Sequence, residues 1–413
     1  MRGRVNYAWI VVGIMFLVML ATAGVRAAPS VLIVPLEGAF GWSRATISAA
    51  ISINIALFGL IGPFAAALMQ TIGLRRTTVL ALSILAVSVA LSGFIDAKWE
   101  LFATWGLLVG IGTGAMAGGL AATVANRWFE TRRGLVVGLL MASNASGQLV
   151  FLPVLAAIAE SGGWRTVSFI VAAVAAILIP LVLIILPESP ARIGLPPYGG
   201  TAVADPVRGG NPFVAAIAAL RRGTGSVDFW LLFASFWVCG FSTNGLIGTH
   251  LISFCVDHGL PEVQGAGLLA AMGVFDLVGT TGSGWLTDRY NPRILLFWYY
   301  GLRGLSLVVL PFTGFDPVSL GTFALFYGLD WIATVPPTVA LANEVFGRKD
   351  APIIFAWIAA GHQLGAATAA AGAGLVRTET GSYLIAFVAS GVACLIASML
   401  VLRINRRPIL ATA

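Results

Sequence analysis

Arg26, Asp276, Arg303 and Asp330 stand inside long apolar runs of the chain, far from the loops that carry most of its other charges. A charge at the centre of a bilayer costs about 2.5–3.5 kcal/mol on insertion scales, so each of the four must face protein or a water-filled cavity and find a partner there. Their chemistry is recognition and proton exchange. A guanidinium stays charged in a cavity and grips a planar carboxylate with two parallel hydrogen bonds. A buried carboxylate exchanges a proton when its neighbours change. Two readings of the first pair follow: Arg26 holds an anionic solute while Asp276 serves proton coupling or as counter-ion, or Arg26 only neutralises Asp276 across a helix interface. Arg303, in YYGLRGLSL, and Asp330, in YGLDWIATVPPT, reach similar depth on consecutive antiparallel runs, which suits a structural ion pair. Pro336 and Pro337, just beyond Asp330, should kink or break their helix and supply a hinge.

Neutral polar groups accompany these charges. Asn54, Asn144, Gln148 and Asn244 fall at positions able to face a cavity, and His250 and His362 add imidazoles that titrate near neutrality. All six are candidate substrate-binding residues. For most of them interhelical hydrogen bonding is the plainer alternative.

The elements that must position these groups are membrane helices. Of 413 residues, 58% are hydrophobic and only 10% charged, against roughly 25% charged in ordinary soluble domains. Apolar runs of about 20 residues or more, enough to cross roughly 30 Å of hydrocarbon, fall near 9–36, 45–70, 77–95, 101–126, 134–159, 166–187, 228–256, 263–287, 293–312, 318–343, 352–376 and 382–403. The expected fold is therefore an all-α membrane protein with twelve transmembrane helices. A Pro-, Gly- and Arg-containing stretch divides it into residues 1–187, a linker 188–227, and residues 228–413. Apart from Arg26 and Arg303, only Arg44, Lys98, Arg165 and Arg377 lie on the side opposite the N-terminus, so the positive-inside rule puts both termini and the linker in the cytoplasm. The short basic start reads as the beginning of a retained first membrane helix.

Several functions are disfavoured. The net charge of +7 is scattered singly and in pairs, with no cationic stripe for nucleic acid. Cys239, Cys255 and Cys394 have neither CxxC nor His/Cys ligand spacing, so no metal is expected. The chain has no GxxxxGK[ST], HExxH or GxSxG arrangement, and neither a nucleotide cofactor nor enzyme chemistry is implied. Small residues at Gly106, Gly110, Gly114 and Gly118 suit close, sliding helix contacts.

The halves echo each other. GPFAAALMQTIGLRR, Gly62–Arg76, and GSGWLTDRYNPR, Gly282–Arg293, occupy equivalent places after the second and eighth runs. They resemble the cytoplasmic loop of the major facilitator superfamily, in which an Asp-Arg pair and further basic residues latch neighbouring helices. Asp288 and Arg289 match that gating pair, whereas Gln70 and Thr71 replace it in the first half. The resemblance implies two six-helix bundles around a central cavity. PLEGAFGWSRATIS, Pro35–Ser48, is similar to bacterial relatives of the monocarboxylate transporters and the oxalate/formate exchanger. Arg26 lies near the height of the first-helix Lys of animal monocarboxylate transporters. FDLVGTTGSG, Phe275–Gly284, resembles that family's eighth helix, in which an Asp precedes by four residues an Arg that binds substrate carboxylate. Asp276 matches the Asp, and Thr280 stands where the Arg belongs.

The resulting expectation is an inner-membrane secondary transporter of a small organic anion, a monocarboxylate by resemblance, coupled to protons. A carrier or exporter of a neutral or amphipathic compound is the second reading, and a membrane receptor that binds without flux is the third. Expected partners are the solute, protons and the lipid bilayer; a monomer is one option that the sequence leaves open.

Overall fold

The computed structural model describes residues 6–116, 119–201, 203 and 211–405. Some side chains within these stretches, including those of Asn144 and Gln148, lie outside the description. Helices account for nearly all of it. In the first half they are α1 (Tyr7–Phe40), α2 (Arg44–Thr71), α3 (Leu74–Ser92), α4 (Lys98–Leu101), α5 (Val109–Gly114), α6 (Gly119–Trp128) and α7 (Arg133–Ile185), with a π-helical stretch Phe102–Leu108 between α4 and α5. The second half has α8 (Pro212–Thr224), α9 (Val227–Gly240), π-helical Phe241–Ile247, α10 (Gly248–Asp257), α11 (Glu262–Thr287), α12 (Pro292–Val309), α13 (Pro317–Asp330), α14 (Val335–Thr380) and α15 (Leu384–Val401).

The boundaries follow local chemistry. Asn6, Ser43, Asn291 and Asp316 each accept a backbone N–H of the following turn, satisfying donors that the helix leaves free. α1 ends where Gly41 takes φ +62, a left-handed conformation that its carbonyl-seeking N–H needs and a side chain resists. α7 and α14 are each two helices joined at one glycine, Gly163 (φ +77) and Gly347 (φ +73). The loops expected near 160–165 and 344–351 thus shrink to single-residue bends.

Ten helical stretches among the described residues are long and apolar enough to cross a membrane. The expected fourth and fifth runs, 101–126 and 134–159, are the two without a complete match, and both contain residues that are not described. The surface is that of a protein in lipid. On α12, Trp298, Leu302, Leu305 and Val309 point outward while Leu296, Tyr300, Arg303 and Leu307 are buried. The apolar stripe faces out and the charge faces in, the reverse of a water-soluble helix.

Helix irregularities are not spread evenly. The expected first run contains Pro29 and Pro35, the fourth and seventh contain the π-helical stretches, and the tenth is interrupted between α13 and α14. α11 and α13 approach so closely that a Cβ on Gly279 would overlap the Leu329 carbonyl. Between α7 and α9, the chain straps both halves. Tyr198 N donates to Trp128 O at 2.8 Å, and Trp357 Nε1 donates to Ala216 O of α8 at 2.9 Å.

Candidate functional site

Arg26 sits halfway along α1, half-buried, with its guanidinium carbon 3.9 Å above the Phe58 ring of α2. Among the described residues it meets no carboxylate. The aromatic face stabilises the cation by about 0.5–2 kcal/mol, and among the described residues no hydrogen bond is made by its planar fork of donors.

Asp276 does not pair with Arg26. Its carboxylate accepts Thr280 Oγ1–H at 2.8 Å, one turn along α11, and the backbone N–H of Ile332 at 2.9 Å. Only 4% of the residue is exposed. Thr280, which occupies the place of the family's arginine, therefore supports Asp276 and presents no charge of its own.

Arg303 and Asp330 form an ion pair, Nε to Oδ2 at 2.7 Å, with 0% and 11% side-chain exposure. The guanidinium also donates to the backbone oxygens of Asp330 and Trp331 and reaches Cys239 Sγ at 3.0 Å. The rings of Tyr300 and Tyr327 flank it. Cys239 Sγ in turn lies 3.2 Å from Thr334 Oγ1. The His362 ring packs against Phe236 at a centroid distance of 4.8 Å.

The remaining polar residues divide between packing and open positions. Asn54 is buried and donates through Nδ2 to Trp105 O at 2.7 Å, tying α2 to the wide π-helical turn. His250 is fully buried between Ala370 O, 2.8 Å from Nε2, and Tyr383 Oη, 3.1 Å from Nδ1. Asn54 braces α2 through its amide nitrogen, and His250 has both ring nitrogens engaged. Asn244 lies half-buried in the π-helical stretch Phe241–Ile247, a geometry often found where helices carry function. Asn144 and Gln148 are on α7, and their side chains fall outside the described residues. Asp288 is exposed, while Arg289 folds back onto the end of α11, 4.1 Å over the Trp285 ring and donating to Trp285 O.

The geometry adds a network that the sequence reading missed. At the end of the molecule away from residues 188–227, Arg44 of α2 grips Asp257 at the end of α10 bidentately, Nη1–Oδ2 and Nη2–Oδ1 both 2.8 Å. Its Nε donates to Glu37 at 2.8 Å, and Arg377 of α14 binds the same Asp257 through Nε at 2.7 Å. Tyr383 Oη accepts a further bond from Arg44. This network joins the two halves of the chain, with Ser52 Oγ donating to Ala367 O nearby. Glu37 and Arg44 lie within the segment Pro35–Ser48 singled out by resemblance, but as single charges at run ends they read only as topology markers.

Apolar faces turned outward, charges turned inward and interrupted helices of membrane-crossing length are the marks of a polytopic membrane protein. The Major Facilitator Superfamily model matches residues 14–341, and the chain belongs to that family. It is 26% identical over 352 residues to the MFS-type transporter YcxA of Bacillus subtilis, covering 84% of this chain and 82% of that one. Monocarboxylate transporter 12-B of Danio rerio is 25% identical over 426 residues, 96% of this chain and 86% of its own. Monocarboxylate transporter 13 of Bos taurus is 26% identical over 392 residues, with 94% and 86% covered. In fold the chain is similar to a bacterial homolog of the human lysosomal transporter Spinster, with TM-score 0.76, 15% identity and 98% of both chains covered.

Proposed function

We propose that this transporter carries a small organic anion, a monocarboxylate in the first instance, anchored by Arg26 and coupled to protons through Asp276. The observation that carries the reading is the contrast between two embedded guanidiniums. Arg303 is engaged by Asp330, and Arg26 has only the Phe58 ring among the described residues. A carboxylate is the natural complement of a charged, planar and otherwise unpartnered fork. The names of the animal relatives support the same solute class.

In this reading twelve spans form two six-helix bundles, residues 1–187 and 228–413. A cytoplasmic linker, residues 188–227, joins them, both termini are cytoplasmic, and the protein resides in a cell inner membrane. Rocking of the bundles exposes a midplane site alternately to either side. Asn244, His362, Asn144 and Gln148 complete the solute's polar surroundings, and the Asp288–Arg289 loop takes part in gating. Its partners in this reading are the solute, protons and the lipid bilayer.

Thr280 favours a second reading. With a hydroxyl bound to Asp276 where the family's arginine would stand, the cavity holds one fewer cation and suits a neutral or amphipathic solute. Proteoliposomes separate the two. Labelled monocarboxylates accumulating on an inward proton gradient support the first reading; accumulation of neutral compounds alone supports the second, and binding without flux would mean a receptor.

A further inference from the structure

The interruption between α13 and α14 raises a question of backbone accounting. In hydrocarbon every free N–H and C=O must find a partner within the protein. Pro336 and Pro337 lack N–H groups, so Ile332 and Ala333 lose the donors that would normally reach their carbonyls four residues back. The helix unwinds over Trp331–Thr334 as a result.

Side chains of three other helices and one local turn meet several of the groups this exposes. Ile332 O takes the N–H of Val335 at 2.9 Å. Ala333 O accepts from Ser283 Oγ of α11. The carbonyls of Asp330 and Trp331, at the negative end of α13, receive the guanidinium of Arg303 from α12. Ile332 N–H donates to Asp276 Oδ1 of α11 at 2.9 Å. Thr334 Oγ1 meets Cys239 Sγ at the end of α9. A cation therefore holds the carbonyl side of the break and an anion holds its amide side. Both are where the exposed backbone dipoles want them.

We propose that Trp331–Thr334 is a working joint of the transport cycle, and that Asp276 is its releasable clasp while Arg303 is its fixed one. The distinction comes from what each charge would lose. Arg303 makes one backbone contact to the joint, at Trp331 O, and holds Asp330 just before it by a backbone contact and an ion pair. Asp276 makes one bond to the joint and one to Thr280 on its own helix. A proton on Asp276 removes the charge that strengthens the Ile332 bond and leaves Arg303 its full set of partners. Among the described residues, the charged groups whose fields reach Asp276 are Arg303 of α12 and Asp330 of α13. α7, which packs against α11, carries no titratable side chain from 134 to 159. The inference rests on the proton-coupling role proposed for Asp276 and extends it: the proton acts on the solute site by loosening the tenth-span joint.

Hydrogen–deuterium exchange of the full chain in lipid nanodiscs tests this without any solute. In Asp276→Asn at pH 8, amides 331–335 are expected to exchange about tenfold or more faster than in the wild type, as the loss of a charge-assisted hydrogen bond implies. Amides in the middle of α12 serve as the control and should not change. In the wild type, exchange at 331–335, corrected for its chemical rate, should rise as pH falls from 8 to 5. Asp276→Glu should keep that pH dependence and Asp276→Asn should lack it. Should Asp276→Asn fail to fold, the wild-type pH series alone decides. Equal protection in wild type and Asn variant, or no pH dependence in the wild type, overturns the joint. Unchanged protection in an Asp276→Asn protein whose uptake no longer follows the pH gradient would overturn the joint and keep the coupling role. Faster exchange with intact gradient dependence would support the joint and remove the coupling role.

Discussion

Two ion networks lie in the same chain under opposite requirements. At the end away from residues 188–227, Arg44 and Glu37 of the first half meet Asp257 and Arg377 of the second. If the halves part there, Arg44 keeps Glu37 and Asp257 keeps Arg377, so each side retains a neutral internal pair. The buried Arg303–Asp330 pair has no such reserve. Separating it leaves two unpaired charges in a nearly water-free site, and removing either partner leaves one, at a cost of several kcal/mol. The comparison teaches that a lock built to open duplicates its partners, and a clamp built to stay shut does not. Exposure divides them less sharply: Glu37, Arg377 and Asp257 side chains are 38%, 26% and 17% exposed and Arg44 6%, against 11% and 0% for Asp330 and Arg303.

The largest effect is therefore expected at the clamp. Asp330→Asn should lower stability by about 3–5 kcal/mol, read as a loss of monodisperse protein and of melting temperature in detergent. Adding Arg303→Gln should restore part of it, because the orphaned cation is gone. A single variant as stable as the wild type would break the comparison on this side.

At the lock the expected change is in access and not in folding. Asp257→Asn should leave the melting temperature within a few degrees of wild type. In a background free of the three native cysteines, it should raise the labelling rate of Ser48→Cys, buried at the same end, by about tenfold, equivalent to about 1.4 kcal/mol. If Asp257→Asn unfolds the protein as Asp330→Asn does, the two networks are alike and the argument from duplicate partners fails.

A subtler effect concerns coupling. Asp276→Asn keeps the shape of the carboxylate and removes its proton site, so counterflow of solute should persist while accumulation no longer follows an imposed pH gradient. The smallest expected effect is that of Thr280→Arg, a severalfold gain in carboxylate affinity. The new cation would sit one turn from Asp276 on the same face of α11. Identical affinities for every carboxylate would show that this cavity is not built like its relatives'.

Much of this was legible in the residues themselves. Apolar length marked ten of the described membrane-crossing helices, because crossing hydrocarbon is a constraint on each run by itself. Charges inside those runs pointed to Arg26, Asp276, Arg303 and Asp330 for the same reason. Pairing was less legible, since it depends on which helices become neighbours. Depth alone allowed Arg26 to face Asp276, whereas the structure gives Asp276 to the Ile332 amide and Arg26 to Phe58. His250 looked like a cavity imidazole and is enclosed by Ala370 and Tyr383. Pro336 and Pro337 announced a broken helix, but the break lies just before them, because a missing proline N–H frees carbonyls one turn earlier. Arg44, Asp257 and Arg377 stood at run ends, where a charge needs no explanation until the fold brings the three together.

With Arg44 and Arg377 engaged by one network and Arg303 by the other, Arg26 is, among the described residues, an embedded cation with no carboxylate partner, and it is the one proposed here to hold the solute. The direct measurement is equilibrium binding of the monocarboxylate that most raises the melting temperature of the purified wild-type protein, compared across wild type, Arg26→Lys and Arg26→Gln at one pH and salt concentration. The account predicts that Arg26→Gln stays folded and weakens binding by about ten- to hundredfold, as expected when a charged hydrogen-bond donor is lost. Arg26→Lys should fall between, because it keeps the charge without the fork. Unchanged affinity in a folded Arg26→Gln protein would contradict the assignment of Arg26 as the anion anchor.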